Sequence, residues 1–133
     1  MFVQPLATAE PFECAGIQFR MILSRNHTRS VEVVWEYLAP GTSTPLDKHS
    51  SFDQVFVVLK GSGEVTIGAD VAAVGEQDTV FVPKQSLHSV RCTSDKGLEY
   101  LFINVWPGTI PKGETDWREV YSQIHDRRTS TSV

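Results

Sequence analysis

Gly41-Thr42-Ser43-Thr44-Pro45-Leu46-Asp47-Lys48-His49-Ser50-Ser51-Phe52-Asp53-Gln54-Val55-Phe56-Val57-Val58-Leu59-Lys60-Gly61 sets a short polar cluster and an apolar run between two glycines. Asp47 and His49 are two apart, so in an extended chain both side chains point to one face. After four intervening residues Gln54 opens a run rich in β-branched and aromatic residues, the composition of a strand. A second histidine follows at the end of Val82-Pro83-Lys84-Gln85-Ser86-Leu87-His88. If the strands carrying these groups are neighbours in a small barrel, Asp47, His49, Gln54 and His88 converge inside it.

Working outward, the same texture covers most of the chain. Strands are predicted near 17–24, 31–38, 54–60, 63–67, 71–74, 79–82, 87–92 and 99–106. Turn chemistry separates them at Asn26-His27-Thr28-Arg29, Pro40-Gly41, Gly61-Ser62-Gly63, Gly68-Ala69-Asp70 and Ser94-Asp95-Lys96-Gly97. Many short strands with no helix between them predict an antiparallel barrel or sandwich. The end of the chain changes period: Trp117, Val120, Tyr121 and Ile124 form one helical stripe, and Asp116 with Glu119 reads as a capping box. One C-terminal helix is expected over about 116–127, followed by a frayed tail at 128–133. The expected organisation is a single domain over 1–133, with the barrel over about 16–107.

Composition narrows the class. The chain has 133 residues, 41% apolar and 21% charged, with 12 basic against 16 acidic side chains and a net charge of −4. That length suits one domain with its own core. With no basic excess to neutralise a phosphate backbone, a nucleic-acid partner is not expected. No apolar run approaches the ~20 residues of a membrane helix, and the start lacks a basic, apolar leader. Cys14 and Cys92 are far apart, and a reduced, cytoplasmic setting is the expectation.

The two polar segments together resemble the cupin superfamily. Its first motif reads Gly, five residues, His-x-His, three or four residues, Glu, six residues, Gly. Gly41, Asp47, His49, Gln54 and Gly61 stand on that spacing. Its second motif reads Gly, five residues, Pro-x-Gly, two residues, His, three residues, Asn. Gln77, Pro83, Gln85, His88 and Cys92 occupy those places. Gly41, His49, Gly61, Pro83 and His88 agree, and the other five positions depart. The resemblance covers about 31–106. It implies an all-β double-stranded β-helix, or jelly-roll barrel, with the C-terminal helix lying on it, and a homodimer paired through the sheets.

It also implies a site for a divalent first-row metal (Zn, Fe, Mn or Ni) held by Asp47, His49, Gln54 and His88. A usual cupin site offers three imidazoles and one carboxylate. Here Asp47 supplies the carboxylate and Gln54 a neutral amide oxygen, so the formal charge is unchanged. Two histidines and a carboxylate form a set that binds first-row metals with open positions. Asp53 is the alternative donor if the hairpin is shifted by one residue. The six residues between Gln54 and Gly61 favour Gln54. His27 and His125 are expected in solvent.

Alternation suggests the pocket walls. Phe56 and Val58 share the face of Gln54. In 31–37 the odd positions Val31, Val33, Trp35 and Tyr37 are apolar or aromatic, while Glu32 and Glu36 are charged, so the odd set is expected to face the core. In 99–106 both faces are apolar and parity is undecided. Arg20 is either a solvated edge residue or a clamp for a substrate carboxylate. Gln54-Val55 and the sequence Asn104-Val105-Trp106-Pro107 are similar to small cupins that convert unsaturated uronates to open-chain keto forms, which place Asn104 and Trp106 at the pocket. The predicted ligand contacts are therefore Tyr37, Phe56, Asn104, Trp106 and Arg20. The expected chemistry is metal-assisted isomerisation, cyclisation or lyase action on a small oxygenated substrate such as a carbonyl, enol or sugar acid. The alternatives are a non-haem Fe(II) dioxygenase and a non-catalytic cupin that binds a small ligand in the barrel mouth.

Overall fold

A computed structural model of the chain describes residues 1–108 and Trp117. After a 3-10 turn at Leu6–Thr8 come nine strands: β1 (Glu10–Cys14), β2 (Ile17–Leu23), β3 (Val31–Leu38), β4 (Asp53–Lys60), β5 (Gly63–Ile67), β6 (Asp70–Val74), β7 (Thr79–Val82), β8 (His88–Cys92) and β9 (Leu98–Val105). All pair antiparallel. One sheet has the order β1-β2-β3-β9-β4-β7 and the other β6-β5-β8. The second sheet is extended by the polar segment before β4, which bridges β8 at Ser43 with Arg91 and Asp47 with His88. A buried apolar cluster drawn from both sheets fills the space between them, with Phe19, Val34, Leu38, Phe56 and Phe102 from one and Val65, Val90 and Cys92 from the other. This is the all-β jelly-roll architecture that the resemblance implies, within the antiparallel barrel or sandwich that the short strands predict. Eight strands lie within two residues of their predicted bounds, and β1 is additional. The helix predicted over 116–127, the tail after it and His125 lie outside the described residues, apart from Trp117.

The parity of β3 is the reverse of the expectation. Glu32, Val34, Glu36 and Leu38 are buried, and Val31, Val33, Trp35 and Tyr37 lie half-buried on the outer face. An unpaired charge does not enter a core, but a partnered one does. Both glutamates receive partners from distant parts of the chain. β9 settles the same way: Leu98, Tyr100, Phe102 and Asn104 face inward.

The cross-strand register turns these choices into rungs. On the inner face, Glu32 of β3 stands beside Asn104 of β9, which stands beside Gln54 of β4. The next rung is Val34, Phe102 and Phe56, and the one after is Glu36, Tyr100 and Val58. Two rungs carrying polar groups thus flank an apolar one.

The motif glycines and their replacements share a backbone requirement. Gly41 and Gly61 have φ of +75° and +86°. Gln77 and Gln85, which stand at motif glycine positions, also adopt positive φ, at +71° and +67°. The chain keeps the left-handed turns while carrying a side chain there. Gln77 N–H donates to Val58 O at 2.9 Å and Gln85 N–H to His49 O at 2.6 Å, so each turn is tied to a strand or to the site.

Candidate functional site

Asp47, His49, Gln54 and His88 line one small cavity of about 30 Å³. Phe56, Val90 and Phe102 supply apolar wall, and Glu36 and Trp117 also face it. A space of this size admits an ion or a water-sized group without movement of its walls.

The strands place each group. Paired to β8, the segment at Asp47 exchanges backbone hydrogen bonds with His88, Asp47 N–H donating to His88 O at 3.0 Å and His88 N–H to Asp47 O at 2.8 Å. That ladder brings the two histidines together, with ring centroids 5.0 Å apart. Both are buried. His88 Nδ1 lies 2.9 Å from the Ser86 carbonyl. A carbonyl only accepts, so Nδ1 carries the proton, and in the neutral ring Nε2 is the acceptor nitrogen. This is the arrangement that orients a metal-binding imidazole. His49 is held by stacking on Phe52, centroids 4.6 Å apart and planes 16° from parallel, and by the edge of Trp117 at 5.2 Å. Asp47 Oδ2 lies 4.0 Å from His49 Nδ1, and its Oδ1 accepts from Lys48 N–H at 2.8 Å.

Gln54 is 3% exposed. Its Nε2 donates to Asn104 Oδ1 at 2.8 Å, and its Oε1 is buried with no hydrogen-bond partner among the described residues. A buried carbonyl oxygen left without a donor is costly unless a cation or a ligand hydrogen bond completes it. Asp53 points the other way, accepting from Lys84 N–H at 2.8 Å. The register therefore puts Gln54, not Asp53, in the cavity.

Among the described residues, no three His, Cys, Asp or Glu side chains stand close enough to hold a metal by themselves. The donor set that fits a cation is two imidazoles and the Gln54 oxygen, with Asp47 at the rim. An amide oxygen and imidazole nitrogens are compatible with first-row divalent metals.

Of the five predicted ligand contacts, Phe56 lines the cavity. Asn104 stands behind Gln54 and bonds it. Trp106 is buried against Phe52, centroids 5.0 Å apart, and under the Arg25 guanidinium. Tyr37 is on the outer face, packed over Gly97, with its hydroxyl 3.5 Å from Lys96 O. Arg20 is also outside; its Nη1 donates to Ala7 O at 3.3 Å and Ala9 O at 3.1 Å, tying down the segment before β1. Tyr37 and Arg20 are corrected as ligand contacts because strand parity turns both away from the barrel. Trp106 and Asn104 are corrected because neither lines the cavity: Trp106 packs on Phe52, and Asn104 is bonded to Gln54. His27 is exposed, as expected.

Sequence reasoning missed Glu36, Phe52 and Trp117. Glu36 is 3% exposed, and burial pushes its carboxyl up to about 8, partly countered by a hydrogen bond with Tyr100. It brings a proton-holding group to the apolar wall of the cavity. Its signal was inverted, because a charge on an alternating strand is read as the solvent side. Phe52, directly before β4, stacks on His49, a contact that its spacing of three in a non-helical segment does not announce.

Comparison with known proteins agrees with this architecture. Auxin-binding protein 1 of Arabidopsis thaliana is 32% identical over 84 residues, covering 56% of this chain and 42% of that protein. The 1-methylthio-D-xylulose 5-phosphate methylsulfurylase of Rhodospirillum rubrum is 30% identical over 82 residues, covering 62% of this chain and 52% of that enzyme. The chain spans about half the length of these curated relatives, or less. Among solved structures, a predicted oxalate decarboxylase from Thermotoga maritima superposes with a TM-score of 0.73 at 20% identity, over 79% of this chain and 99% of that one, which shows a shared fold. The family model described as Cupin domain matches residues 34–104, from the middle of β3 to the end of the Glu32–Asn104–Gln54 rung, and the chain belongs to that cupin family.

Proposed function

We propose that this protein is a metal-dependent cupin enzyme acting on a small oxygenated substrate, with His49, His88 and Gln54 holding a divalent first-row metal and Asp47 at the rim. The carrying observation is the buried Gln54 Oε1, which has no hydrogen-bond partner among the described residues, in a cavity that also takes two imidazoles, one with its tautomer set by a carbonyl. When bound, such a cation supplies Lewis-acid polarisation of a carbonyl or hydroxyl. The chain's own contribution is a dry wall and a proton. Phe56, Phe102 and Val90 exclude water from one side of the cavity. Glu36, neutral up to about pH 8, holds a proton at its carboxyl oxygen, and Tyr100 orients that group by hydrogen bonding. A buried neutral carboxylic acid of this kind can donate to a ligand oxygen. The chemistry that suits these parts is isomerisation, cyclisation or lyase action on a carbonyl, enol or sugar-acid compound. The methylsulfurylase relative, whose name specifies a sugar phosphate, is in keeping with that class. Oxygen uptake during turnover would assign a dioxygenase instead.

A second reading, a non-catalytic ligand-binding cupin, is favoured by the auxin-binding relative and by the lack, among the described residues, of three converging acidic, histidine or cysteine donors. Metal analysis of the purified protein after loading with Zn, Fe, Mn or Ni separates the two. The wild type is expected to retain about one equivalent and the His49→Ala/His88→Ala variant none. Equal metal content in the two overturns the assignment.

The reading includes a homodimer paired through the outer face of the six-stranded sheet, where Val33, Trp35 and Ile103 are half-buried in the isolated chain. Sedimentation of the wild type against Ile103→Glu tests it. Cys14 and Cys92, which form no disulfide among the described residues, are in keeping with a reducing, cytoplasmic setting.

A further inference from the structure

The polar rung behind the cavity wall has a direction. Glu32 is 1% exposed. Its Oε2 faces two groups that can only donate, Trp117 N–H at 3.1 Å and the Arg25 guanidinium at 3.8 Å. Oε2 therefore accepts, and the carboxylate paired with Arg25 also accepts at Oε1, where Asn104 donates. Asn104, with no exposed surface, meets Oε1 with its Nδ2 at 3.2 Å. Its Oδ1 must then face Gln54. Gln54 meets that oxygen with Nε2 at 2.8 Å, which leaves Oε1 as the atom turned away and unpartnered. Each amide has one donating and one accepting end, so the sense of the row is set at Glu32 and passed along it.

We propose that Glu32 and Asn104 are positioning residues that set the polarity of the Gln54 amide, so that position 54 presents a carbonyl oxygen to the ligand. A site built this way takes a cation or a hydroxyl donor there, and not an anion. The row also relocates a carboxylate. The motif's acidic residue is absent at 54, and a buried acid stands two side chains away at 32, connected through Asn104. Neither acid nor amide alone determines the outcome; the order acid, amide, amide does.

The test reverses the row. In Glu32→Gln, the side of residue 32 facing Trp117 N–H and Arg25 must keep its oxygen, so Nε2 faces Asn104. Asn104 then turns, Gln54 turns in response, and an NH₂ group enters the cavity. In Gln54→Glu alone, the new carboxylate meets Asn104 Oδ1 and the row clashes. In the Glu32→Gln/Gln54→Glu double variant every donor meets an acceptor again, and the net charge equals that of the wild type.

Thermal unfolding at pH 8, without added metal, is the first measurement. The expected result is a lowered midpoint for each single variant and recovery of most of the loss in the double. Losses that simply add, or a Gln54→Glu variant as stable as the wild type, overturn the proposal. If Gln54→Glu does not fold, a folded double variant supports the row and an unfolded one overturns it. The second measurement is Zn or Ni affinity by chelator competition, which a merely structural role would not restore. Glu32→Gln is expected to weaken it by about tenfold or more, and the double variant to recover it. This second arm rests on the metal reading above. A wild type that binds neither metal removes that reading, and the unfolding cycle still decides the polarity of the row.

Discussion

The Tyr100 hydroxyl hydrogen-bonds the buried carboxyl of Glu36, its register partner across β3 and β9, and the carboxyl holds its proton up to about pH 8. Burial is the larger cause, because an apolar surrounding disfavours the charged form. The hydrogen bond favours the ionised form and limits the shift.

This gives a stability prediction with a definite sign. Below the ordinary value of 4.5 the carboxyl is neutral in folded and unfolded chains, and it costs nothing. Between 4.5 and about 8 the unfolded chain ionises while the folded one keeps the proton, so stability falls as pH rises. Above about 8 both are ionised and the loss levels off. The total is on the order of a few kcal/mol. Urea unfolding of metal-free protein from pH 4 to 9 should show this decline, and Glu36→Gln should flatten it. Parallel profiles for the two proteins would place the ionised form of Glu36 at no disadvantage in the fold.

The left-handed turns at Gln77 and Gln85 predict stabilising substitutions. A side chain at positive φ costs about 1–2 kcal/mol, against which glycine's extra freedom in the unfolded chain costs about 0.5–1 kcal/mol. Gln77→Gly and Gln85→Gly should each stabilise by up to about 1 kcal/mol in denaturant titration. Gly61→Ala should destabilise by about 2 kcal/mol or more, since it adds strain at φ +86° and its new methyl group runs into the Gly97 carbonyl. A destabilised Gln85→Gly would mean that the glutamine side chain contributes more than its strained backbone costs.

Arg20 and Tyr37 predict an absence of effect at the cavity. Arg20→Ala removes two charge-assisted bonds to carbonyls of the segment before β1, and should cost about 1–3 kcal/mol and speed proteolysis near the N-terminus. Metal affinity should stay within twofold of wild type for Arg20→Ala and for Tyr37→Phe. A tenfold loss in either would place that side chain at the ligand after all.

Much of the fold was legible because strand composition, turn residues and motif spacing are local properties. The apolar runs located eight strands, and the six residues between Gln54 and Gly61 singled out Gln54 over Asp53. Gln77 and Gln85 show the limit of reading residue types. They look like departures from glycine, yet the backbone there keeps the conformation that glycine favours. Parity failed on β3 for a related reason. Alternation says that Glu32 and Glu36 share a face, but not which face is inside, and the partners that make burial tolerable lie 64 or more positions away, at Tyr100, Asn104 and Trp117.

What the sequence determined by itself was the all-β architecture and the candidate set Asp47, His49, Gln54 and His88, because short-range periodicity and spacing encode both. Only the tertiary structure decided that Glu32 and Glu36 face inward, that Tyr37 and Arg20 face out, and that the Gln54 oxygen rather than its nitrogen has no hydrogen-bond partner among the described residues. Those outcomes depend on hydrogen-bond donors and acceptors meeting across strands, and a buried polar group is stable only when distant parts of the chain complete it.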